Sequence, residues 1–261
     1  MMHPLINIAT KAARKAGQMI YRAMDNMDSV KVSEKGHNDF VSNIDKRAEM
    51  MIIETIYEAY PDHAILAEES GAHEGSDTVW IIDPLDGTKN FLYGIPQFAV
   101  SIAIKENNRL QHGLVFDPVK NELFTASRGS GAMLNGNRIR VNQTKHLSSS
   151  LLGTGFPYRA DDDLDTYMAI FTDFMKQCRD IRRPGAASLD LAYVAAGRYD
   201  GFYEFGLSAW DIAAGALIVE EAGGIVDDVT GKQAYLETGN VIAAPPKLFQ
   251  EMIRTIKPHL K

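Results

Sequence analysis

Five short apolar runs follow one another between residues 64 and 126, and they constrain the fold more than any other feature. They cover residues 64–67, 79–82, 98–104, 113–116 and 122–126. Asn107-Asn108, Asp117-Pro118 and Asn135-Gly136 are turn-forming pairs placed where strands would reverse. Runs of this length with turn signals between them are typical of buried strands. We therefore predict an antiparallel or mixed sheet over residues 64–141.

Amphipathic helical patterns flank this sheet on both sides. Apolar residues recur at helical spacing over residues 5–23 and again from near Ser42 until Pro61. The polar, glycine-containing segment 31–40 between these helices is expected to be a mobile loop near a site. A later helix is predicted by an apolar face made of Tyr167, Ile170, Phe171, Phe174, Met175 and Cys178.

The remaining C-terminal sequence alternates between helices and strands. Residues 189–196 and 213–222 have helical patterns, and strands are predicted near 201–203, 224–227 and 240–243. This alternation indicates a mixed α/β protein. Because no flexible linker interrupts the chain, we expect one domain over residues 1–261. Its N-terminal α+β half would cover about 1–145 and its C-terminal α/β half about 146–261.

Charge and cysteine content exclude several classes of function. The chain has 27 Lys and Arg against 34 Asp and Glu, a net charge of −7, which disfavours direct nucleic-acid binding through phosphate neutralisation. Its one cysteine, Cys178, can form no internal disulfide and no thiolate metal cluster, and we expect it in the core. The sequence has no signal-peptide pattern and no apolar run approaching ~18 residues, so we expect a cytoplasmic protein without membrane association.

The segment from Trp80 to Thr88 contains the most informative polar residues. An apolar strand here runs into Asp83 and Asp86, with Pro84 and Gly87 forming a turn. Two carboxylates three residues apart across a turn can converge, which is unfavourable unless a cation lies between them. The alternative interpretation is that both aspartates are solvated turn residues.

Other acidic residues also occur at strand ends and helix starts. Glu68-Glu69 follows a strand, Asp39 and Asp45 flank the start of the second helix, and Asp211 begins another helix. Taken alone, Asp45 could simply complete a capping box with Ser42, and Asp211 could cap its helix. Together they suit a hard cation such as Mg²⁺, which prefers oxygen ligands. Backbone N–H groups at Gly87 and Thr88 would add an anion site if a helix begins there.

These motifs resemble those of the inositol monophosphatase family, most closely its bacterial SuhB-type branch. The resemblance rests on the segments 80–91, 68–70, 39–45 and 210–215, together with Gly223-Gly224, and it extends over nearly the whole chain. It implies a layered αβαβα sandwich of the inositol monophosphatase and fructose bisphosphatase type. It also implies a homodimer that hydrolyses phosphate monoesters with two to three Mg²⁺ ions per subunit and is sensitive to Li⁺.

The resemblance also implies roles for individual residues. Glu68, Asp83 and the carbonyl of Leu85 would hold one metal ion, and Asp83, Asp86 and Asp211 a second, while a third, weaker ion would be held mainly by Glu68. Thr88, linked to Asp45, would orient the nucleophilic water. The amides of Gly87 and Thr88 would bind the phosphate. The polyol hydroxyls would face Asp86, Ala187, Glu204 and Asp211.

Departures from the family pattern bear on the substrate. Lys89 stands where a threonine is frequent, and Ala186 stands where a hydroxyl residue is usual. The resemblance implies hydrolysis of myo-inositol 1-phosphate, with fructose-1,6-bisphosphatase or phosphonucleotide phosphatase activity as alternatives within the same fold. An alternative of another class is a transcription antitermination or ribosomal RNA maturation factor that binds a protein of the transcription machinery. The basic group Lys176, Arg179, Arg182 and Arg183 is either a solvated face or a partner surface.

Overall fold

The computed structural model describes residues 3–36, 39–157, 163–231 and 233–260, without the side chains at 28–29 and 34–41. The helices in this part of the chain are α1 (Pro4–Ala23), α2 (Asn43–Tyr57), α3 (Thr88–Leu92), α4 (Leu164–Gln177), α5 (Ala187–Ala195), α6 (Ala209–Glu221), α7 (Tyr235–Thr238) and α8 (Pro246–Ile256). The strands are β1 (Val32–Gly36), β2 (Asp39–Ser42), β3 (Ala64–Ala67), β4 (Gly71–His73), β5 (Thr78–Asp86), β6 (Ala99–Glu106), β7 (Arg109–Asp117), β8 (Glu122–Ser127), β9 (Gly131–Leu134), β10 (Asn137–Arg138), β11 (Leu151–Thr154), β12 (Asp180–Arg182), β13 (Gly201–Glu204), β14 (Ile225–Asp227) and β15 (Val241–Ala244).

Two sheets of different size organise the protein. The larger has the order β10-β9-β8-β7-β6-β5-β3-β4, in which only the β3–β5 pair is parallel. The smaller has the order β12-β11-β13-β15-β14, with parallel pairs from β12 to β13 and antiparallel pairs beyond. The predicted mixed sheet is therefore confirmed. Left-handed backbone at Asn107-Asn108 and Asn135-Gly136 forms two of the predicted reversals.

Helices cover both faces of each sheet. Helices α1 and α2 pack on the outer face of the large sheet, α5 and α6 lie between the sheets, and α4 and α8 cover the small sheet. Because α5 and α6 are enclosed by two sheets, every residue of α5 and residues 212–219 of α6 are buried, whereas α1 buries one stripe. The layers thus follow the order helix, sheet, helix, sheet, helix, which confirms the predicted mixed α/β class.

Several local predictions were wrong. Part of segment 31–40 is not a loop, since β1 and β2 pair antiparallel there. Helix α2 ends at Tyr57 rather than at Pro61, because the chain already turns at residues 58–59. Met175 was assigned to the buried face of α4, but it is 61% exposed. The side chain of Asp39 lies outside the described residues. Across the part of the chain described, no helix combines the length and the apolarity needed to span a bilayer.

Candidate functional site

A bulge in β5 brings Asp83 and Asp86 to the same side of the sheet. Asp83 pairs with Ser101 of β6 and Asp86 with Ala99, so two residues of β5 lie opposite the single residue Val100 of β6. In a regular strand, residues three apart point to opposite faces, and the extra residue reverses this. Pro84 fits here because it has no N–H to donate to the ladder. The predicted turn between the two aspartates is therefore a bulge within a strand.

Three carboxylates from two distant segments meet at this bulge. Asp83, Asp86 and Asp211 each offer an oxygen, and these oxygens lie within 4.8 Å of one another. Asp211 is in the first turn of α6, where its Oδ2 accepts a hydrogen bond from the Ser208 N–H at 2.7 Å. Asp211 thus both caps α6 and belongs to the acidic cluster. Oxygen donors of this kind suit a hard divalent cation.

Glu68 extends the acidic cluster from the neighbouring strand. It follows β3, which runs parallel to β5 with Ala67 opposite Ile82, and the Glu68 N–H donates to the Ile82 carbonyl at 3.2 Å. This register brings Glu68 beside Asp83, whose pKa the Glu68 charge raises. The parallel β3–β5 pair therefore places Glu68 next to the cluster, although the carboxylate oxygens that lie within 4.8 Å of one another are those of Asp83, Asp86 and Asp211.

Burial and like charges make the cluster unfavourable when it is fully ionised. Burial, followed by the charges of Glu68, Asp86 and Asp211, raises the pKa of Asp83 well above its usual value. Burial and Asp211 raise the pKa of Asp86 to about 7, opposed by hydrogen bonds that Ser188 donates through its N–H and hydroxyl. A cation between these groups would favour their ionised forms, so the residues present fit a divalent metal ion.

A second polar arrangement connects α2 to the start of α3. Asp45 lies in the first turn of α2 and forms a capping box with Ser42, as the sequence suggested. Its other oxygen, Oδ1, is 2.9 Å from the Thr88 hydroxyl, which also lies 3.0 Å from the Leu85 carbonyl. Capping therefore does not exclude a role for Asp45 in the site. Its two oxygens serve different partners.

Gly87 caps α3 in a conformation that requires glycine. Its φ is 92°, in the left-handed region, and a Cβ would lie 2.9 Å from the Gln97 carbonyl oxygen. The predicted helix start at this position is present, with α3 beginning at Thr88.

Glu204 and Ala187 lie at the other end of the site. Ala187 is the buried first residue of α5, and Glu204 ends β13. Burial, Asp211 and Asp86 raise the pKa of Glu204 to about 8, whereas Arg183 lowers it. Glu204 packs directly on Gly155. Any larger residue at 155 would clash with it, since a Cβ there would lie 1.8 Å from the Glu204 Oε1.

The sequence interpretation did not include several residues that support this site. Ser188 donates a hydrogen bond to Asp86 through its N–H. Asn90 connects two parts of the chain by donating hydrogen bonds to the Gln97 and Pro184 carbonyls at 2.7 and 2.9 Å. Asp190 is fully buried and, among the described residues, neither of its carboxylate oxygens has a hydrogen-bond partner. Glu49 accepts a hydrogen bond from the Glu69 N–H at 2.8 Å. Two of these residues had a sequence signal: Glu49 lies four residues after Asp45 on a helix face, and Asn90 lies in the segment 80–91 that carries the family resemblance.

Comparison with known proteins gives a consistent result. A model of the inositol monophosphatase family matches residues 1–260. The Nus factor SuhB of Pseudomonas aeruginosa is 54% identical over 265 residues, which cover 99% of this chain and 98% of that protein. The crystal structure of the extragenic suppressor protein suhB from Bartonella henselae has 41% identity and a TM-score of 0.96, covering 99% of this chain and 100% of that one.

A more distant solved structure contains a bound ligand. SaIMPase-II with inositol monophosphate bound is 27% identical, with a TM-score of 0.84, and the match covers 98% of this chain and 95% of that one. The inositol monophosphatase-II from Staphylococcus aureus MSSA476 gives the same identity, TM-score and coverage. The fold and the acidic cluster thus occur in a chain with full-length similarity to this family.

Proposed function

The chain belongs to the inositol monophosphatase family, in its SuhB-type branch, and from this premise we propose that it hydrolyses phosphate monoesters with Mg²⁺. The proposed substrate is myo-inositol 1-phosphate, converted with water to myo-inositol and phosphate. The observation that carries this proposal is the meeting of the Asp83, Asp86 and Asp211 carboxylates within 4.8 Å. The SaIMPase-II relative, which binds inositol monophosphate, supports the substrate class.

The proposed metal ligands are all oxygen atoms. Glu68, Asp83 and the Leu85 carbonyl would hold one Mg²⁺, and Asp83, Asp86 and Asp211 a second, with a third held more weakly through Glu68. Bound Mg²⁺ would supply Lewis-acid stabilisation of the attacked phosphate and ease deprotonation of the attacking water. The raised pKa values of Asp83 and Asp86 support a cation here, because a positive charge would relieve the repulsion that raises them.

Thr88 and Asp45 would orient the attacking water. The Thr88 hydroxyl is 2.9 Å from Asp45 Oδ1, so it can donate a hydrogen bond to that carboxylate. The lone pairs on the Thr88 oxygen are then directed away from Asp45 and can accept a hydrogen bond from water. A water held this way loses orientational freedom before the reaction, which lowers the barrier to attack. The N–H groups of Gly87 and Thr88 would bind the phosphate oxygens.

The polyol would lie between α5, α6 and the end of β13. Asp86, Ala187, Glu204 and Asp211 would face its hydroxyl groups. The charge of Asp211 raises the pKa of Glu204, which supports a shared pocket for the two carboxyl groups. Carboxyl oxygens accept hydrogen bonds from hydroxyls, and a site that pairs hydroxyls rejects analogues that lack them. Lys89 and Ala186 lie close to this region in sequence and could shift preference among polyol phosphates.

The test is phosphate release from myo-inositol 1-phosphate with and without Mg²⁺, and then with added Li⁺. We expect hydrolysis that requires Mg²⁺, is inhibited by Li⁺ and is lost in Asp83→Asn. The exposed Asp77→Asn is the matched control and should retain activity. Dominant turnover of fructose 1,6-bisphosphate or of a phosphoadenosine nucleotide would overturn the inositol assignment. Absence of Mg²⁺-dependent release from all three substrates would overturn the phosphatase proposal.

A second candidate function is participation in transcription antitermination through binding of a transcription-machinery protein. The observation that favours it is the 54% identity to a relative named Nus factor SuhB. Arg183 tests this role because it is exposed and its guanidinium lies 5.3 Å from the Phe156 ring centroid. Cells that grow normally with Asp83→Asn but poorly with Arg183→Ala would make protein binding the primary role. Arg183 also lowers the pKa of Glu204, so its loss could change catalysis as well as protein binding. Phosphate release by Arg183→Ala must therefore be measured in parallel.

We also infer that the protein is a cytoplasmic homodimer. Light scattering coupled to size exclusion should give twice the 28.9 kDa of the chain. A mass of one chain across the concentration range would contradict this.

A further inference from the structure

Helix α2 presents two buried carboxylates on one face. Asp45 is 0% and Glu49 3% exposed, and residues four apart lie above one another on a helix. Asp45 is 2.9 Å from the Thr88 hydroxyl, at the end of the segment that contains Asp83 and Asp86. Glu49 Oε2 accepts the Glu69 N–H at 2.8 Å, in the turn that contains Glu68. One helix therefore contacts both acidic segments of the site.

The contact at Glu49 lies where the sheet no longer holds the chain. Strand β3 ends at Ala67, and the Glu68 N–H makes the last hydrogen bond to β5, through Ile82. The following N–H, that of Glu69, points to Glu49 instead. A hydrogen bond from a backbone N–H to a carboxylate is about twice as strong as one between neutral groups. Glu49 thus fixes the backbone on the C-terminal side of Glu68, as Ile82 fixes it on the other.

We propose that Glu49 is a positioning residue that holds Glu68 against Asp83 and thereby sets the affinity of the acidic cluster for Mg²⁺. This proposal rests on the proposed role of Glu68 as a metal ligand. Residues that orient metal ligands affect binding without touching the metal, and their loss typically weakens metal affinity or activity by about 10–100-fold. Because Asp45 and Glu49 belong to one rigid helix, α2 acts as a spacer between the Glu68 turn and Thr88.

A cavity beside Glu49 contains a second glutamate, Glu54, whose substitution serves as the control for Glu49. It has a volume of about 470 Å³, and its lining includes Glu49, Met50, Glu54 and Glu69. Glu54 is exposed and five residues after Glu49, and it lines the same cavity without the described hydrogen bond to Glu69. A change at Glu54 therefore alters the charge and shape of the cavity while leaving the Glu49–Glu69 contact in place.

The experiment compares Glu49→Met, Glu49→Gln and Glu54→Met in the full chain. Methionine keeps length and helix propensity but accepts no strong hydrogen bond, whereas glutamine keeps an acceptor oxygen and removes the charge. Three measurements are made on each variant: Mg²⁺ binding by calorimetry without substrate, hydrogen exchange of the peptide containing residues 68–70, and the Mg²⁺ dependence of phosphate release.

We expect Glu49→Met to bind Mg²⁺ about 10–100-fold more weakly and to exchange faster at residues 68–70. Its kcat at saturating Mg²⁺ should stay close to that of the wild type, since Thr88 and Asp45 are unchanged. Glu49→Gln keeps an acceptor but loses the charge that strengthens the bond, so it should recover part of the affinity and protection, and Glu54→Met should match the wild type in all three measurements.

The proposal is overturned if Glu49→Met binds Mg²⁺ as the wild type does, or if Glu49→Gln is as weak as Glu49→Met. Loss of affinity in Glu54→Met to the same extent would also overturn it, because the cavity rather than the hydrogen bond would then be responsible. If Glu49→Met does not fold, the glutamine variant still decides. Weaker Mg²⁺ binding in Glu49→Gln with unchanged exchange at residues 68–70 contradicts the proposal, because the charge of Glu49 rather than the position of Glu68 would then be responsible. Failure of the wild type to bind Mg²⁺ would refute the metal site itself, which is a separate result.

Discussion

Replacing Glu204 with glutamine is expected to stabilise the metal-free protein and to weaken its proposed hold on the polyol. Burial, Asp211 and Asp86 raise the pKa of Glu204 to about 8, from a reference value of 4.5, against the opposing effect of Arg183. The carboxyl group packs on Gly155, where only a missing Cβ leaves room for it. Glutamine has nearly the same shape, so the substitution removes the charge with little change in packing.

The sign and size of the effect follow from proton linkage. Below pH 4.5 the carboxyl group is protonated in both states, and Glu204 makes no charge-dependent contribution. Between pH 4.5 and 8 the unfolded chain loses this proton while the folded protein keeps it, so stability falls by about 1.4 kcal/mol per pH unit. The full interval corresponds to about 5 kcal/mol, and because relaxation and water entry reduce such penalties we expect about 2–4 kcal/mol.

The assay is urea unfolding in EDTA at pH 5, 6, 7 and 8. The free energy of unfolding of Glu204→Gln should exceed that of the wild type by an amount that increases with pH. The exposed Glu237→Gln removes the same charge from the surface and serves as the control, with a difference that does not widen. In the presence of Mg²⁺, Glu204→Gln should raise the KM for myo-inositol 1-phosphate. A stability difference that is constant with pH, or that favours the wild type at pH 8, would refute the reasoning.

Three other substitutions test separate contacts. Thr88→Val removes the hydroxyl that lies 2.9 Å from Asp45, so kcat should fall by about 100-fold while calorimetric Mg²⁺ affinity stays near the wild-type value. Gly155→Ala places a methyl group 1.8 Å from the Glu204 Oε1, so KM for the polyol phosphate should rise more than kcat falls. Asn90→Ala leaves two backbone carbonyls without their donor and should lower the free energy of unfolding by about 2 kcal/mol in urea titrations.

The strand pattern of the large sheet could be predicted from the sequence because most of the apolar runs bury side chains on both faces. All five apolar runs between 64 and 126 overlap a strand of the structure. Strands β4, β9, β10, β11 and β12 were missed. Of these, β4, β10 and β12 have no buried residue, and all five are short, so their pairing depends on neighbours already in place. The exposure of Met175 shows a related limit. Helical spacing identifies a face, but the packed neighbours determine how wide its buried part is.

The acidic residues of the site could be identified from local signals, whereas their connections could not. Strand ends and helix starts indicated Asp83, Asp86 and Asp211, and the resemblance to a known family indicated that they belong together. The bulge that turns Asp83 and Asp86 to one side depends on pairing with β6, which the segment itself does not specify. The hydrogen bond from Ser188 to Asp86 spans 102 residues, so no local pattern could indicate it.

The arrangement of helices explains how the fold tolerates so many buried carboxylates. Asp45 and Asp211 lie in the first turns of α2 and α6, and Asp86 accepts the Ser188 N–H in the first turn of α5. Three helix N-termini therefore direct partial positive charge toward the acidic residues, each worth roughly 0.3–1 kcal/mol at exposed sites and up to ~2 kcal/mol when partly buried. At Asp86 the α5 N-terminus therefore offsets at most ~2 kcal/mol, whereas the rise of its pKa from 3.8 to about 7 corresponds to about 4 kcal/mol. Helix dipoles thus lower the cost of the cluster in the folded chain, and the proposed divalent cation would favour its fully ionised form.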